Sequence, residues 1–433
     1  MPKQLMQSQN KGMLAFMSYT SDHLNPLSST WLDNEGLRQI FKAFHEAGHE
    51  ARVVGGAVRD ALRGRPVSDI DLAVNVPPET MCAVLKAAGM KVVPTGLDHG
   101  TVTVVVDHKS FEITSLRRDI ETDGRHAKVT YTENWRDDAA RRDFTFNALY
   151  VDAKGHIYDY FQGREDLAQG RVHFIGNAAQ RIREDVLRIL RFFRFFAWFG
   201  EGDPDKDGLK ACQDLAVLLP HISAERVGHE IKKLLAAPNP YKSLVAMQQS
   251  GVLPILLPNL LPFNSSHKLF ILEEKHGVRS SPLRRLLSFM HHKPSDIEDV
   301  VKRLKLSNRE AKTLQNVAFL SGSLLNRLDS SPLSAILYDY GSESVLDAFL
   351  IQASHHPEIE SQIPAVLSAC SSWEKPVFPL RGEDLLKINL KPGPEIGQIL
   401  RQTEIWWVQK GFHPDHKACL AQAQSLANHS ASE

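Results

Sequence analysis

The sequence of 433 residues is short of several features that mark specialised classes of protein. It carries no net charge, because 51 Lys and Arg residues balance 51 Asp and Glu residues. This balance excludes a uniformly basic nucleic-acid coat and an acidic tail protein, but it allows an RNA-binding enzyme with one basic face. Apolar residues (42%) and charged residues (24%) occur in ordinary globular proportions, which excludes wholesale disorder.

Cysteines and long apolar runs are also scarce. The four cysteines are too widely spread for a CxxC motif or a disulfide framework, so reduced thiols in a cytoplasmic protein are expected. No apolar run approaches the roughly 18 residues that cross a bilayer, so no membrane association is expected. The first 30 residues lack the apolar core of a signal peptide, and they are interpreted as a flexible extension.

The character of the sequence changes near residue 176. Before it, short β-rich runs alternate with helical patterns, which predicts an α/β domain with a compact sheet. After it, apolar residues recur at helical spacing almost throughout, and one continuous helix is expected over residues 179–200. No fixed-period repeat is present, so a regular solenoid is not expected. The predicted strands are 51–56, 69–74, 101–107, 111–116 and 147–152.

The first candidate site is the run VVGGAVRD, in which Gly55 and Gly56 separate an apolar strand from a helix. A tight turn of this kind can expose backbone N–H groups to an anion, and Arg59 in the first helical turn can hold a phosphate. The run matches neither a Walker loop nor the GxGxxG fingerprint. A purely structural turn is the alternative interpretation.

Acidic residues follow on the next predicted strands. Asp69 and Asp71 are one residue apart, so on a strand both carboxylates project from one face, where a divalent cation such as Mg²⁺ relieves their repulsion. In the run FEITSLR, Glu112 and Thr114 face away from Phe111 and Ile113. Glu112 is therefore a candidate to deprotonate an attacking hydroxyl or to support a second metal ion. Solvent-exposed acids are the alternative for both strands.

The ordered runs GGAVRD, DID, FEITSLR, RRDFTFNA and EDVLRILRFFR resemble the class II CCA-adding tRNA nucleotidyltransferases and the related bacterial poly(A) polymerases. The resemblance spans roughly residues 51–200. It implies a polymerase-β-like nucleotidyltransferase head over 31–175, a helical neck with the nucleotide-recognition helix over 176–260, and an RNA-binding helical body and tail over 261–433. The implied reaction is attack of an RNA 3′-hydroxyl on the α-phosphate of a nucleoside triphosphate. By motif position, Asp69 and Asp71 are the metal ligands, and Gly56 and Arg59 contact the triphosphate.

The run RRDFTFNA adds candidate nucleotide ligands. Asp143 can accept a hydrogen bond from a ribose hydroxyl, and Arg141 and Arg142 can reach phosphate or sugar oxygens. In the family this motif is linked to the ribose, which implies a preference for ribonucleotides. The alternative is that Asp143 caps a helix that begins at Phe144, while the two arginines are solvated.

The run EDVLRILRFFR contains an excess of arginine over what a salt-bridged helix face needs. Cytosine and adenine both present an amine donor beside a ring-nitrogen acceptor, whereas uracil and guanine present the reverse. A carboxylate and a guanidinium side by side therefore select C and A without a nucleic-acid template. The resemblance assigns this role to Asp185 and Arg188, with Arg191 and Arg194 on phosphate or structural duty.

Four functional interpretations follow. The first is an enzyme that adds C, C and A to the tRNA 3′ end from CTP and ATP, and the run PTGLDHGTVTVVVD favours it over the second, a poly(A) polymerase. The third is a partial CC- or A-adding enzyme, and the fourth is a non-catalytic RNA-binding protein. The polar segment 117–140 resembles the flexible loop that helps the family switch from C to A addition, and a plain surface loop is the alternative interpretation. Residues 268–312 hold 11 Lys and Arg against 6 Asp and Glu, which favours RNA contact there.

Overall fold

The computed structural model describes residues 22–24, 30–122, 127–261, 263–387 and 392–430. Most of the predicted extension over residues 1–30 lies outside these ranges. The chain divides into two compact units, one up to Pro258 and one from Asn259. The finer predicted boundaries at residues 30, 175 and 260 stay predictions.

The first unit is built on a mixed sheet of seven strands. Their order is β3-β4-β5-β2-β1-β8-β9, in which β2 and β5 run parallel and the other neighbours run antiparallel. A separate hairpin is formed by β6 and β7. The strands are β1 (Ala51–Val54), β2 (Asp71–Val74), β3 (Lys91–Gly96), β4 (Thr101–Val106), β5 (Lys109–Ser115), β6 (Arg117–Thr122), β7 (Ala127–Tyr131), β8 (Leu149–Val151) and β9 (Ile157–Asp159).

Eleven labelled helices belong to the same unit, three of them between strands in the chain. They are α1 (Glu35–Glu46), α2 (Gly56–Leu62), α3 (Pro78–Ala87), α4 (Trp135–Ala140), α5 (Gly163–Ala168), α6 (Ala178–Glu184), α7 (Arg188–Phe199), α8 (Lys206–Leu215), α9 (Ala224–Leu235), α10 (Tyr241–Gln249) and α11 (Val252–Leu256). β1 is buried along its whole length, and Leu37, Ile40 and Phe44 of α1 are fully buried. The strand predicted over residues 51–56 is therefore present as β1 between β2 and β8, but it ends at Val54 because α2 begins at Gly56.

The second unit is helical. Its elements are α12 (Asn264–Lys275), α13 (Pro282–Leu287), α14 (Pro294–Arg303), α15 (Asn308–Ser330), α16 (Leu333–His355), α17 (Ile363–Ser371), α18 (Gly382–Leu386), α19 (Pro394–Gln409) and α20 (His416–Ser430). A buried network of charges holds it together: Arg284 and Arg285 both donate to Glu273, and Arg284 also donates to Asp347. All four side chains are at most 3% exposed. A mixed-sheet head followed by helices confirms the predicted fold class.

Two sequence expectations are corrected. The polar segment 117–140 is not a plain loop, because it contains β6, β7 and α4, although residues 123–126 lie outside the described ranges. The single helix expected over 179–200 is wrong. The chain leaves the helix at Asp185, which adopts extended backbone angles (φ −150°, ψ 105°), and α7 begins three residues later.

Among the residues that the structure describes, no helix is long and apolar enough to cross a membrane. All four cysteines, Cys82, Cys212, Cys370 and Cys419, are free thiols.

Candidate active site

Three carboxylates meet where β2 and β5 run side by side. β2 begins at Asp71, which is paired in register with Glu112 of β5. Asp69 lies in the loop before β2, so the expected strand over 69–74 is too long and alternation along a strand does not place it. Partial desolvation, and after it the negative charge of Glu112, raise the pKa of Asp71. Glu112 is exposed between buried Phe111 and Ile113, as the alternation in FEITSLR predicts.

A cavity of about 580 Å³ collects twelve of the thirteen residues that the sequence singles out. Glu112 is the exception, because it lines a second cavity that also includes Asp69 and Asp71. The twelve are Gly55, Gly56, Arg59, Asp69, Asp71, Arg141, Arg142, Asp143, Asp185, Arg188, Arg191 and Arg194. Their proximity is a structural finding, and the role of each stays a prediction.

The glycine turn joins β1 to α2. Gly55 has φ +74°, a left-handed conformation that costs other residues, and its amide donates to the carbonyl of Leu149 (3.0 Å). That amide is therefore engaged within the sheet and is not available to a phosphate. Gly56 and Ala57, which follow the turn, line the cavity. Arg59 in α2 donates to Asn147 (2.7 Å) and to the carboxylate of Asp60.

The two arginines of RRDFTFNA are held by one buried acid rather than solvated. Asp138 at the end of α4 is fully buried, and it pairs with Arg141 (2.7 Å) and Arg142 (3.1 Å). The hydroxyl of Tyr150 on β8 donates to the same carboxylate (2.7 Å). Burial alone would raise the pKa of Asp138, but the two arginines outweigh it and lower the pKa to about 2. The alternative interpretation, in which Arg141 and Arg142 are solvated, is therefore wrong.

Asp143 is engaged on both oxygens. One accepts from the backbone of Phe144 (2.8 Å) and from Asn147 (3.0 Å), and the other accepts from Arg191 of α7 (2.6 Å). No α-helix begins at Phe144; a single 3₁₀ turn follows at Thr145–Asn147. Burial opposes the charge of Asp143, but Arg191 and the hydrogen bonds outweigh it and lower its pKa. Asp143 therefore stays ionised and links the head to α7.

The break between α6 and α7 separates Asp185 from the polar stripe on which it was expected to pair with Arg188. Its carboxylate accepts from the backbone of Leu187 (3.1 Å) and from one guanidinium nitrogen of Arg226 in α9 (3.0 and 2.8 Å). Arg188 instead donates to Glu184 (2.9 Å). It also donates to the backbone carbonyls of residues 181 and 141. Three of its five N–H donors are thereby engaged.

Aromatic packing fixes α7 against the head. Phe144 of RRDFTFNA lies 4.7 Å from Phe174 and 5.4 Å from Phe195, measured between ring centroids. Phe192 stacks on Phe174 (5.6 Å, 9° between ring planes). Phe144, Phe174 and Phe192 are at most 2% exposed, so this cluster anchors α7 and directs its arginines to the cavity.

Sequence reasoning missed several polar cavity residues, among them Asn147, Arg226 and Lys233. Asn147 bridges Arg59 and Asp143, and its place inside the run RRDFTFNA was a usable signal. Arg226 and Lys233 lie on α9, beyond the last of the sequence motifs, and no local pattern links them to the site.

The charges around the first cavity suit a polyanion. Eight Lys and Arg side chains line it against five carboxylates. Within the described ranges, no three His, Cys, Asp or Glu side chains lie close enough together to hold a metal ion by themselves. Mg²⁺ commonly uses one or two carboxylates and completes its shell with water and substrate phosphates. Asp69 and Asp71 beside the cationic cavity fit such a shared site, whereas a closed protein cage is not formed.

Carboxylates on a mixed sheet, beside a cavity lined with arginines, define the protein as a nucleotidyltransferase. A family model described as "Poly A polymerase head domain" matches residues 51–173. Further models match residues 203–263 ("Probable RNA and SrmB- binding site of polymerase A") and residues 283–423 (tRNA nucleotidyltransferase domain 2). The mitochondrial CCA tRNA nucleotidyltransferase 1 of Mus musculus is 34% identical over 90% of each chain. The chain belongs to the family of CCA-adding tRNA nucleotidyltransferases.

Two further relatives agree. The CCA-adding enzyme of Streptococcus sanguinis is 33% identical over 84% of this chain and 90% of its own. The crystal structure of the Bacillus stearothermophilus CCA-adding enzyme in complex with CTP superposes with a TM-score of 0.70 at 26% identity, covering 94% of this chain and 99% of that one.

Proposed function

We propose that the protein adds C, C and A to the 3′ end of tRNA from CTP and ATP, without a nucleic-acid template and with release of pyrophosphate. One observation carries the proposal: a single cavity joins the carboxylates Asp69 and Asp71, a cationic wall, and the side chains of Asp185 and Arg188. Membership of the CCA-adding family supports the same substrates.

The cationic wall holds the triphosphate. Arg59 faces the cavity from α2, and Arg194 and Lys233 face it from α7 and α9. Asp69 and Asp71 would hold Mg²⁺, which when bound would neutralise the charge that develops on the α-phosphate. The 3′-oxygen of the RNA forms a bond to the α-phosphorus, the bond to the β-phosphate oxygen breaks, and Glu112 accepts the hydroxyl proton.

Base selection follows from donor and acceptor positions. The carboxylate of Asp185 accepts from the exocyclic amine of cytosine or adenine, and an unused N–H of Arg188 donates to the neighbouring ring nitrogen. Uracil and guanine place a carbonyl against the carboxylate and an N–H against the guanidinium, so polar groups stay unpaired. Asp143, held in place by Arg191, supplies the ribose contact.

The second unit binds the body of the tRNA. The excess of Lys and Arg over residues 268–312 supports phosphate contacts, which position RNA without recognising its sequence. Arg284 and Arg285 are excluded from this role, because both are buried against Glu273. Lys302, Arg309 and Lys312 are exposed and stay available to phosphates.

The decisive experiment supplies the protein and Mg²⁺ with tRNAs that end before CCA, after C and after CC. Labelled CTP and ATP are given separately and together. Ordered addition of C, C and A that then stops supports the proposal. Long A tails on any RNA would identify a poly(A) polymerase, which the first family match keeps as the second candidate. Addition of only CC or only A would identify a partial enzyme, and tight tRNA binding without incorporation would refute the enzyme.

The metal assignment has its own test. Asp71→Asn is expected to abolish incorporation while tRNA affinity, measured by filter binding, stays near the wild-type value. Asp214→Asn is the control, because Asp214 is an exposed acid paired with Lys210 on α8. A fully active Asp71→Asn variant would refute the assignment. Titration of the wild type with Mg²⁺ after chelation distinguishes Mg²⁺ from other divalent ions.

The cytoplasm is the proposed location, supported by four free thiols, which persist in a reducing compartment. A relative carries a mitochondrial name, so fractionation of cells that express the full chain is the test. Recovery in an organelle fraction would overturn this part.

A further inference from the structure

The cations of the first cavity divide into two kinds. Among the residues that the structure describes, seven arginines and one lysine, Lys233, line this cavity. Each arginine already forms an ion pair with a carboxylate of the protein. The pairs are Arg59 with Asp60, Arg141 and Arg142 with Asp138, Arg188 with Glu184, Arg191 with Asp143, Arg194 with Glu230 and Arg226 with Asp185. Within the same described ranges Lys233 forms no ion pair, so its ammonium group remains available to an anionic ligand.

Contacts between α7 and α9 hold Lys233 at the cavity. The indole nitrogen of Trp198 on α7 donates to the backbone carbonyl of Lys233 (2.8 Å). Three residues earlier on α9, the buried carboxylate of Glu230 pairs with Arg194 of α7 (2.9 Å). The side chain of Lys233 is exposed and lines the cavity. The backbone is therefore fixed by α7, while the ammonium group stays accessible to a substrate.

A lysine differs from an arginine in the proton that it can give up. A guanidinium keeps its proton, whereas an ammonium group can transfer one to a nearby base. Partial burial lowers the pKa of Lys233, and the positive charges of Arg194 and Arg191 act in the same direction. The carboxylates of Glu230 and Asp69 oppose this shift without cancelling it. Burial also lowers the pKa of Arg194 to about 10, but loss of that proton would leave the buried carboxylate of Glu230 unpaired.

Nucleotidyl transfer creates a base at the leaving group. When the bond from the α-phosphorus to the bridging oxygen breaks, its electron pair stays on that oxygen, and the departing pyrophosphate gains negative charge. A proton supplied there in the transition state commonly contributes about 10²–10⁴-fold to the rate. Glu112, which accepts the hydroxyl proton in the proposed reaction, does not line the first cavity. A proton donor for the leaving group must therefore be another residue.

We propose that Lys233 is the general acid of the reaction and donates a proton from its ammonium group to the leaving pyrophosphate. The inference rests on the proposed function and adds a catalytic residue to it. The RNA 3′-oxygen bonds to the α-phosphorus, the bond to the bridging oxygen breaks, and this oxygen receives the proton of Lys233. Glu112 holds the hydroxyl proton, so a neutral amine and a neutral carboxylic acid remain. Both side chains are exposed, and they exchange protons with water before the next addition.

Replacement of Lys233 by arginine separates proton donation from charge. Lys233→Arg keeps the positive charge and removes the transferable proton, so the single-turnover rate of CTP incorporation should fall about 100-fold. The apparent Kd for CTP should stay within about threefold of the wild-type value, because a guanidinium also binds phosphate. Lys233→Ala should lower the rate similarly and also raise the apparent Kd for CTP about tenfold, since the charge is lost as well. Lys232→Arg is the matched control and should keep the wild-type rate, because Lys232 is the neighbouring residue on α9 and does not line the first cavity.

The basicity of the leaving group tests whether the missing proton causes the loss of rate. Two CTP analogues, with CF2 or CH2 in place of the β,γ-bridging oxygen, release a less basic and a more basic product, respectively. A product that leaves without a proton depends more strongly on its own basicity. The ratio of the CF2 rate to the CH2 rate should therefore be about tenfold larger in Lys233→Arg than in the wild type.

The outcomes separate this inference from the proposed function. A wild-type rate in Lys233→Arg, or a ratio of the two analogue rates equal to that of the wild type, would overturn the inference even if CCA addition is observed. Long A tails made by the wild type would refute only the proposed function, and the corresponding ATP analogues would then measure the same ratio. A wild type that incorporates no nucleotide would refute both.

Discussion

The ion pair between Asp185 and Arg226 offers the sharpest test of base selection. Both contacts, at 3.0 and 2.8 Å, come from the same guanidinium nitrogen. The side chains of Asp185 and Arg226 are 28% and 35% exposed. Their exposure is therefore intermediate between that of surface ion pairs, which contribute less than about 1 kcal/mol, and that of buried ion pairs, which cost about 3–5 kcal/mol to break. Arg226→Ala should therefore remove about 1–2 kcal/mol of the free energy that holds the Asp185 carboxylate in place, which lowers the equilibrium population of the correct position by a factor of roughly 5–30.

The expected result is a fall of about tenfold in kcat/KM for both CTP and ATP, with increased incorporation of UTP relative to CTP. Single-nucleotide incorporation measures it, with CTP or UTP supplied alone on a tRNA that lacks CCA and ATP supplied alone on a tRNA that ends in CC. Arg226→Lys is the matched control. Since a single nitrogen makes both contacts, a lysine ammonium can replace it, and most of the activity should return.

Two outcomes would refute the reasoning. Unchanged kcat/KM and unchanged selectivity in Arg226→Ala would show that Asp185 needs no support from α9. A rise in affinity for CTP would show that Arg226 competes with the base for the carboxylate and does not position it.

Other predictions concern stability, measured as the free energy of unfolding in urea. Gly55→Ala should lose about 1–2 kcal/mol because φ is +74°, whereas Gly56→Ala should lose little. Asp138→Asn should lose about 3 kcal/mol. Because the pKa of Asp138 is lowered to about 2, the wild type should be more stable than Asp138→Asn above about pH 4, and this difference in the free energy of unfolding should shrink as the pH falls toward 2. Glu273→Gln should lose about 3–5 kcal/mol. Asp299→Asn is the control and should lose less than about 1 kcal/mol, because Asp299 forms an exposed ion pair with Arg303. Equal losses for Glu273→Gln and its control would contradict the buried network.

The features that were predicted correctly from the sequence depend on residues that are close together in the chain. The alternation in FEITSLR placed Glu112 outward, and the apolar run at 51–54 gave a buried central strand. The glycine pair marked a turn, and Gly55 has the left-handed φ that only such a turn requires. These features depend on residues within a few positions of each other. The sequence signal and the structural cause are then the same.

Features that depend on contacts between residues far apart in the chain could not be predicted from the sequence. Asp138 collects Arg141, Arg142 and Tyr150, but its sequence context is an ordinary polar helix. The charge excess over residues 268–312 was interpreted as RNA-facing surface, yet two of its arginines are buried against Glu273. Composition counts charges and carries no information on which of them face each other.

The break at Asp185 shows why the positions of Asp185 and Arg188, the residues proposed to select the base, could not be predicted from the sequence. The apolar spacing of 179–200 is continuous, so periodicity alone predicts one helix and sets Asp185 three residues from Arg188 on a shared face. The helix ends instead because Asp185 turns its carboxylate to the amide of Leu187, which competes with the helical hydrogen bond, as short acidic side chains do. Freed from the helix, the carboxylate is held by Arg226, 41 residues away in the chain. The positions of the two groups proposed to select the base are thus set by separate elements, α9 for Asp185 and α6 for Arg188. A variant in one element should therefore change selectivity without disturbing the other group.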